Sequence, residues 1–179
     1  MNAGELTLPI RDAASSQPDF AQLMALHQQR VLRTAYRLLG RMEDAQDVSR
    51  EVFLRLLKNL DKVDGDPQAW LYRVTINVCN DQFRRKLTIV EVPERADPAL
   101  RVDRVLEMDE RKALLMAGLN TLAERERAAV VLRDIEGLPT REVAAILGVE
   151  EVTVRSQICG ARMKLTKYVR DAKYVRSAR

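Results

Sequence analysis

Polar side chains recur at helical spacing in WLYRVTINVCNDQFRRK, residues 70–86, around the only tryptophan of the chain. At about 100° per residue they share one arc of a helix, opposite a broad apolar sector. The polar arc contains Trp70, Arg73, Asn77, Asn80, Asp81 and Arg84. An indole beside amides and guanidinium groups can stack on an unpaired base and hydrogen-bond its edge, as single-stranded nucleic acid requires. A first-turn tryptophan folded back onto a core is the competing interpretation.

A second set of residues lies in LPTREVAAILGVEEVTVRSQICGARMKL, where small residues occupy the positions of a tight helical corner. Ala144 is followed by Gly148 and then by Val154, which is the spacing of a helix-turn-helix. The alanine lets two helices cross closely, the glycine accepts the positive φ of the turn, and the valine anchors the second helix. The outer N-terminal turns of that helix would face the major groove of duplex DNA. The alternative is a plain helical hairpin with a solvated basic face.

Composition and charge favour a helical protein with a polyanionic partner. Of the 179 residues, 46% are hydrophobic, 31% are charged and only 4% are aromatic, and glycine occurs seven times. The net charge is +4, with basic residues concentrated from Arg155 to the C-terminus, whereas residues 91–110 are mainly acidic. This asymmetry indicates that one end of the chain meets nucleic acid.

Residues suited to metal, redox or covalent chemistry are scarce. Cys79 and Cys159 form no CxxC pair and are expected to be buried or half-buried, and the single histidine, His27, is expected on a helix surface. Because no nucleophile, metal set or phosphate loop is found, no cofactor is expected and an enzyme is the least favoured class. The sequence contains no signal peptide and no run of about 18 apolar residues. A cytoplasmic protein without membrane insertion is therefore expected.

Periodicity and proline content predict an all-α fold of two small helical domains joined by a linker. The predicted parts are a flexible leader at 1–19, a first domain at 20–87, a linker at 88–104 and a second domain at 105–175, which contains the helix-turn-helix. The first two helices are predicted from Phe20 to Leu39 and from about Met42 to Leu60. Their predicted inward residues are Phe20, Leu23, Leu26, Val31, Leu32, Ala35, Leu38, Leu39, Val48, Val52, Phe53, Leu56, Leu57 and Leu60.

Three blocks in order carry a resemblance to a known family. They are DAQDVSREVFLRLL at 44–57, the stretch already quoted at 70–86, and LNTLAERERAAVVLRDIEGLPTREVAAILGVEEVTVRSQICGARMKL at 119–165. Together they resemble a bacterial RNA polymerase sigma factor of the extracytoplasmic-function type, which keeps only conserved regions two and four. The resemblance covers most of the chain, about residues 20–90 and 105–168.

The resemblance implies a non-catalytic initiation subunit that directs core RNA polymerase to specific promoters. Region two of this family binds the clamp coiled coil of the largest polymerase subunit and melts the minus-ten element of promoter DNA. Region four reads the minus-thirty-five duplex and touches the flap of the second-largest subunit. An anti-sigma protein is the other partner that the resemblance implies.

The family's roles transfer to the matching positions of this chain. The implied DNA-binding residues are Val63, Trp70, Arg73, Asn77, Asn80, Arg84, Arg85, Lys86, Arg141, Thr153, Arg155, Ser156, Cys159 and Lys164. The implied polymerase-binding residues are Asp44, Asp47, Arg50 and Glu51. The chain departs from the family pattern at Val63, Arg50, Val152, Gln157, Cys159 and Gly160. These departures leave the fold intact, but the resemblance does not assign a minus-thirty-five sequence.

Two other classes of protein compete with this interpretation. An ordinary helix-turn-helix regulator would use its N-terminal half for dimerisation or ligand binding and would bind duplex DNA alone, as a dimer. A sigma mimic would bind only an anti-sigma protein, and its base-binding face and RRK cluster would then have no purpose.

Overall fold

A computed structural model describes residues 19–63, 66–89 and 110–177, and within these ranges the chain forms helices and no β-strand. The helices are α1 (Phe20–Leu39), α2 (Met42–Lys58), α3 (Pro67–Ile89), α4 (Glu110–Asn120), α5 (Glu124–Val130), α6 (Thr140–Leu147) and α7 (Glu151–Ser177). A 3-10 turn, Leu60–Lys62, precedes α3, and a π-helical turn, Val131–Ile135, follows α5. The predicted all-α fold is confirmed. Residues 1–18 of the predicted leader and 90–104 of the predicted linker lie outside the described residues.

Helices α1 to α3 form a first module around one apolar core. Gly40 ends α1 with a φ of 75°, and its N–H donates to the Tyr36 carbonyl, so the chain turns directly into α2. The core is built from Val31, Ala35, Leu38, Val48, Val52, Phe53, Leu56, Leu71, Ile76 and Cys79. Each larger side chain in it contributes about 1.5–3 kcal/mol by leaving water. This burial fixes which face of α3 remains outside.

Helices α4 to α7 form a second module that contains the predicted helix-turn-helix. Gly148 ends α6 with a φ of 65°, and the N–H groups of Gly148 and Val149 both donate to the Ala144 carbonyl. Ala144 and Val154 are buried between the two helices. The predictions for this corner are confirmed: Ala144 lies where the helices cross closely, Gly148 adopts the positive φ of the turn, and Val154 anchors the second helix.

Three predicted burials are wrong. Leu26 and Leu57 are 74% and 54% exposed, and Cys159 is exposed as well. The buried stripe of α1 passes from Leu23 to Val31, and Leu26 lies off that line by one helical position. In α2, Leu56 already fills the core, so its neighbour Leu57 points about 100° away.

The two modules pack against one another, which the sequence analysis did not predict. Helix α1 contacts α4, α5 and the π-helical turn, and α3 packs against α6. No helix in the described part of the chain is both long and apolar enough to span a bilayer.

Candidate nucleic-acid interface

The start of α3 is set by local hydrogen bonds that orient its first turn. The Asp66 carboxylate accepts the Gln68 N–H at 2.9 Å, and the Asp66 carbonyl accepts the Trp70 N–H at 3.3 Å. Pro67 takes the first helical position, where its missing N–H and fixed φ carry no penalty. Trp70 therefore lies in a rigid first turn, immediately after the connection from α2.

The polar arc predicted on α3 is a solvent-facing surface, which we name the α3 polar face: Arg73, Asn77, Asn80 and Arg84. Arg73, Asn77 and Arg84 are exposed and Asn80 is half-buried. The opposite arc is buried, with burial raising the pKa of the Cys79 thiol to about 12. Arg85 is exposed beyond this face, and Lys86 belongs to the same helix. The face presents amide donors and acceptors between guanidinium groups, the combination suited to base edges and phosphates.

Trp70 combines features of both interpretations of the tryptophan. Its side chain is half-buried and packs against the core, and Val63 at the end of the 3-10 turn is half-buried in the same way. The indole is thus anchored on one side and accessible on the other. An anchored ring loses little conformational entropy when a base stacks on it.

The recognition helix α7 presents its predicted DNA-binding residues on its outer side. Arg155, Ser156 and Cys159 are exposed and Thr153 is half-buried, and Arg141 is exposed on α6. Glu151 accepts a hydrogen bond from Arg155 at 2.9 Å, which holds that guanidinium group along the helix. An open groove beside α7 is lined by five cations: Arg133, Arg155, Arg162, Lys167 and Arg170. Such a groove suits a polyanion.

Lys164 and Gly160 of α7 both lie next to Glu126, which comes from another helix. Lys164 donates to both carboxylate oxygens of Glu126, at 2.8 and 2.7 Å. A Cβ atom on Gly160 would lie 3.0 Å from Oε1 of the same glutamate. The mid-helix glycine, which costs about 1 kcal/mol relative to alanine, thus leaves room for this ion pair. A phosphate would have to compete with Glu126 for Lys164.

The candidate polymerase-binding residues lie on α2 and are paired with neighbours on that helix. Asp47 accepts a hydrogen bond from Arg50 at 2.7 Å, and Glu51 accepts one from Arg55 at 2.7 Å. Asp44 is 3.8 Å from Arg41 and its side chain is only 17% exposed.

Two leucines that sequence reasoning missed extend this surface. Leu54 and Leu57 are 52% and 54% exposed, one and two turns after Arg50. We name Asp47, Arg50, Leu54 and Leu57 the α2 surface. Its mixture of charge and exposed leucine is typical of a protein-binding face.

A buried cluster of polar contacts joins the two modules. The Glu136 carboxylate of the second module accepts hydrogen bonds from Thr34 at 3.0 Å, from Tyr72 at 2.9 Å and from Arg37, all of the first module. Burial and the hydrogen bond to Glu136 raise the pKa of Tyr72 above its ordinary value. Helical periodicity gave no signal for this cluster, because its members are far apart in sequence.

The packing of the modules brings the α3 polar face opposite the helix-turn-helix. Ile76, Asn77, Asn80 and Arg84 line one wall of a cleft, and the other wall includes residues of α5, the 146–149 segment and Gln157. The two candidate nucleic-acid surfaces are therefore adjacent in this structure. In residues 19–63, 66–89 and 110–177, no three His, Cys, Asp or Glu side chains are grouped so that they could hold a metal ion.

The fold and these surfaces define an all-helical protein with one polar helix face in the first module and a helix-turn-helix in the second. Residues 23–87 match the family described as Sigma-70 region 2, and residues 112–165 match Sigma-70, region 4. The chain belongs to the extracytoplasmic-function RNA polymerase sigma factors, which are non-catalytic subunits for transcription initiation.

Known relatives agree with this family, and one solved structure shares the fold. The chain is 36% identical over 162 residues to the ECF RNA polymerase sigma factor SigE of Mycolicibacterium smegmatis, covering 87% of this chain and 63% of the relative. It is 36% identical over 150 residues to the RNA polymerase sigma-E factor of Streptomyces avermitilis, covering 82% and 83%. The fold matches sigma factor RpoE of Bartonella quintana, crystallised with the anti-sigma factor NepR, with a TM-score of 0.69 and 20% identity over 84% of this chain and 96% of the other.

Proposed function

We propose that this chain binds core RNA polymerase, directs it to specific promoters and helps to melt the minus-ten element. The observation that carries the proposal is the presence, in order on one chain, of regions two and four with an exposed polar face on α3 and an exposed recognition helix. Polymerase and promoter DNA are the partners that these two surfaces suit, and the cytoplasm is where they would meet.

In the first module, we assign the α2 surface, with Asp44 and Glu51, to the clamp coiled coil of the largest polymerase subunit. The α3 polar face, with Val63, Trp70, Arg85 and Lys86, is assigned to the non-template strand of the minus-ten element. Unstacking a base costs a few kcal/mol. Stacking on an aromatic ring stabilises an unpaired base by about 1–3 kcal/mol, and the half-exposed Trp70 provides such a ring.

In the second module, the exposed residues of α6 and α7 are assigned to the minus-thirty-five duplex. Arg155 and Ser156 lie where the recognition helix would contact base edges, and Thr153 and Cys159 flank them. Arg141 and Lys164 are assigned to phosphates, which position a protein without reading sequence. The flap of the second-largest polymerase subunit is a further contact for this module.

An anti-sigma protein is the remaining partner that we propose. The Bartonella quintana factor that shares this fold is bound to one. A dimeric helix-turn-helix regulator is not favoured, because its N-terminal half would have no reason to match region two. The sigma proposal predicts a monomer in gel filtration until polymerase or an anti-sigma protein is added.

Run-off transcription with purified core polymerase and a promoter library tests the proposal. The full chain should support transcripts from a subset of promoters, and core polymerase alone should not. If the chain instead bound duplex DNA tightly as a dimer and left transcription by core unchanged, the regulator would be the better description.

Asn77→Ala should leave assembly with core polymerase intact and weaken open-complex formation by about tenfold. The reason is that each hydrogen bond is worth about 0.5–1.5 kcal/mol, that an amide can make two of them to a base edge, and that in this assignment they form only after the strands separate. Permanganate reactivity of the minus-ten thymines measures the melted fraction. Gln29→Ala removes an exposed amide from α1 and is the matched control. Equal thymine reactivity in wild type and Asn77→Ala would remove Asn77 from the base-binding set.

A further inference from the structure

Helix α7 continues beyond the part of the chain that matches region four. The match ends at residue 165, whereas α7 runs to Ser177, which adds about 18 Å of helix. We name residues 166–177 the α7 extension. Its sequence, TKYVRDAKYVRS, contains four basic residues and one acidic residue. A helix with this excess of positive charge suits a polyanionic partner.

The α7 extension begins on the body of the second module, where one close helix contact fixes its orientation. A Cβ atom on Gly118 of α4 would lie 3.0 Å from Cδ2 of Leu165 and 3.4 Å from Cδ1 of Tyr168. The glycine therefore lets α7 approach α4 closely. Leu165, Tyr168 and Val169 are half-buried. This packing determines which side of the extension faces solvent.

The solvent-facing side of the extension continues the side of α7 that carries the candidate base-reading residues. At about 100° per residue, Arg155, Cys159, Thr166 and Arg170 fall within an arc of about 60°. All four are exposed, and together with Lys167 they line the open groove beside α7. One exposed, cationic side of the helix thus runs from the start of α7 into the extension.

The cations of the extension are less engaged than Arg162, which precedes them in the same groove. Arg162 donates to both carboxylate oxygens of Asp134, at 2.8 and 2.6 Å. Lys167 is exposed and pairs with no carboxylate within the described part of the chain. The Arg170 side chain is 75% exposed, and its Nε lies 3.8 Å from the carboxylate of the adjacent Asp171. Exposed pairs of this kind contribute little, so Lys167 and Arg170 can each bind an external anion at low cost.

The length of α7 separates base contacts from backbone contacts. Residues 155–170 span about 22 Å at 1.5 Å per residue. A major groove about 12 Å wide that winds around the duplex cannot hold all of this segment against the bases. Because a recognition helix contacts base edges with its N-terminal residues, its C-terminal end must lie over the sugar–phosphate backbone. Lys167 and Arg170 are at that end.

We propose that the α7 extension binds the phosphate backbone of duplex DNA through Lys167 and Arg170, next to the base pairs that the start of α7 contacts. The contact adds affinity without sequence preference, because phosphates carry no sequence information. Its placement beside the minus-thirty-five element rests on the proposed function, whereas the binding of duplex phosphates does not.

The salt dependence of duplex binding by the full-length protein tests this contact. Each phosphate contact contributes about 0.9 to the slope of log K against log salt concentration. Lys167→Gln combined with Arg170→Gln should therefore reduce the slope by about 1.8 on a duplex of random sequence. Between about 50 and 200 mM salt, the wild type should lose about tenfold more affinity than this double variant. Fluorescence anisotropy of the labelled duplex measures both slopes.

Arg33→Gln combined with Lys58→Gln is the matched control. Both side chains are exposed on the first module, and the substitutions remove the same net charge as the pair in the extension. This control should keep the wild-type slope. Equal slopes for the two double variants, whether reduced or not, would overturn the proposal, and so would a wild type that does not bind the duplex.

Two further measurements separate the phosphate contact from other roles of Lys167 and Arg170. On a promoter duplex selected by run-off transcription, their double variant should lose the same fold in affinity as on the random duplex. A loss confined to the promoter would show that these residues read bases and would overturn the proposal. Weaker binding to core polymerase with an unchanged duplex slope would overturn it in favour of an acidic protein surface. The expected slopes without promoter-directed transcription would support the phosphate contact and contradict the proposed function.

Discussion

Arg127→Met is expected to lower the free energy of unfolding by about 3 kcal/mol, because it leaves buried acceptors without a donor. The guanidinium group donates to the carbonyls of Leu38, Asn120 and Leu122, and only 8% of the residue is exposed. Methionine fills a similar space and donates to none of them. For a protein of this size the loss corresponds to a melting temperature lower by about 6–12 °C.

Arg125→Met is the matched control for that prediction. It makes the same substitution on the same helix, but Arg125 is exposed. Exposed substitutions usually change stability by no more than about 0.5 kcal/mol, so this variant should melt close to wild type. Calorimetry of the three proteins makes the comparison, and similar melting temperatures for the two variants would show that the buried hydrogen bonds of Arg127 add nothing to stability.

Leu57→Asp is expected to weaken binding to core polymerase by about 100-fold with little effect on stability. A residue that is fully desolvated at the centre of an interface can contribute 2 kcal/mol or more, and 2.7 kcal/mol corresponds to about 100-fold in affinity. Leu57 is 54% exposed on the α2 surface, so an aspartate there remains in water in the free protein. In the complex, the carboxylate would lose that water without a partner.

Two variants define the specificity of the Leu57 effect. Leu57→Met retains an apolar side chain of similar volume and should bind core polymerase like wild type. Tyr174→Asp replaces an 80% exposed aromatic residue near the end of α7 by aspartate and should also leave binding to core polymerase unchanged. Competition with a labelled sigma factor for core polymerase measures all three. Wild-type affinity in Leu57→Asp would remove the α2 surface from the polymerase interface.

Substitution of Asp47 should weaken binding to core polymerase less than substitution of Leu57, because the Asp47 carboxylate is exposed and already paired. Its carboxylate is 63% exposed and already paired with Arg50 at 2.7 Å. Exposed ion pairs are typically worth less than about 1 kcal/mol. If a cation of the polymerase paired with Asp47, the carboxylate would give up its contact with Arg50, so the net gain in binding would be small.

The helices, the polar face of α3 and the helix-turn-helix could be predicted from the amino-acid sequence. These features depend on residues within one or two helical turns of each other, so periodicity and a few special residues specify them. Gly40 and Gly148 end α1 and α6 with φ values of 75° and 65°, a backbone conformation that glycine adopts readily. The order of the sequence blocks was enough to indicate the family, because each block encodes one local surface.

Three features depend on how the helices pack: which of two neighbouring leucines is buried, why Gly160 is tolerated and how the modules meet. Leu56 and Leu57 have the same hydrophobicity, and the choice between them depends on where α1 and α3 pack. Glu126 approaches Gly160 from another helix, and Glu136 meets Thr34 across 102 residues of chain. Contacts at such separations leave no periodic signal, because their energy comes from surfaces that come together only when the chain folds.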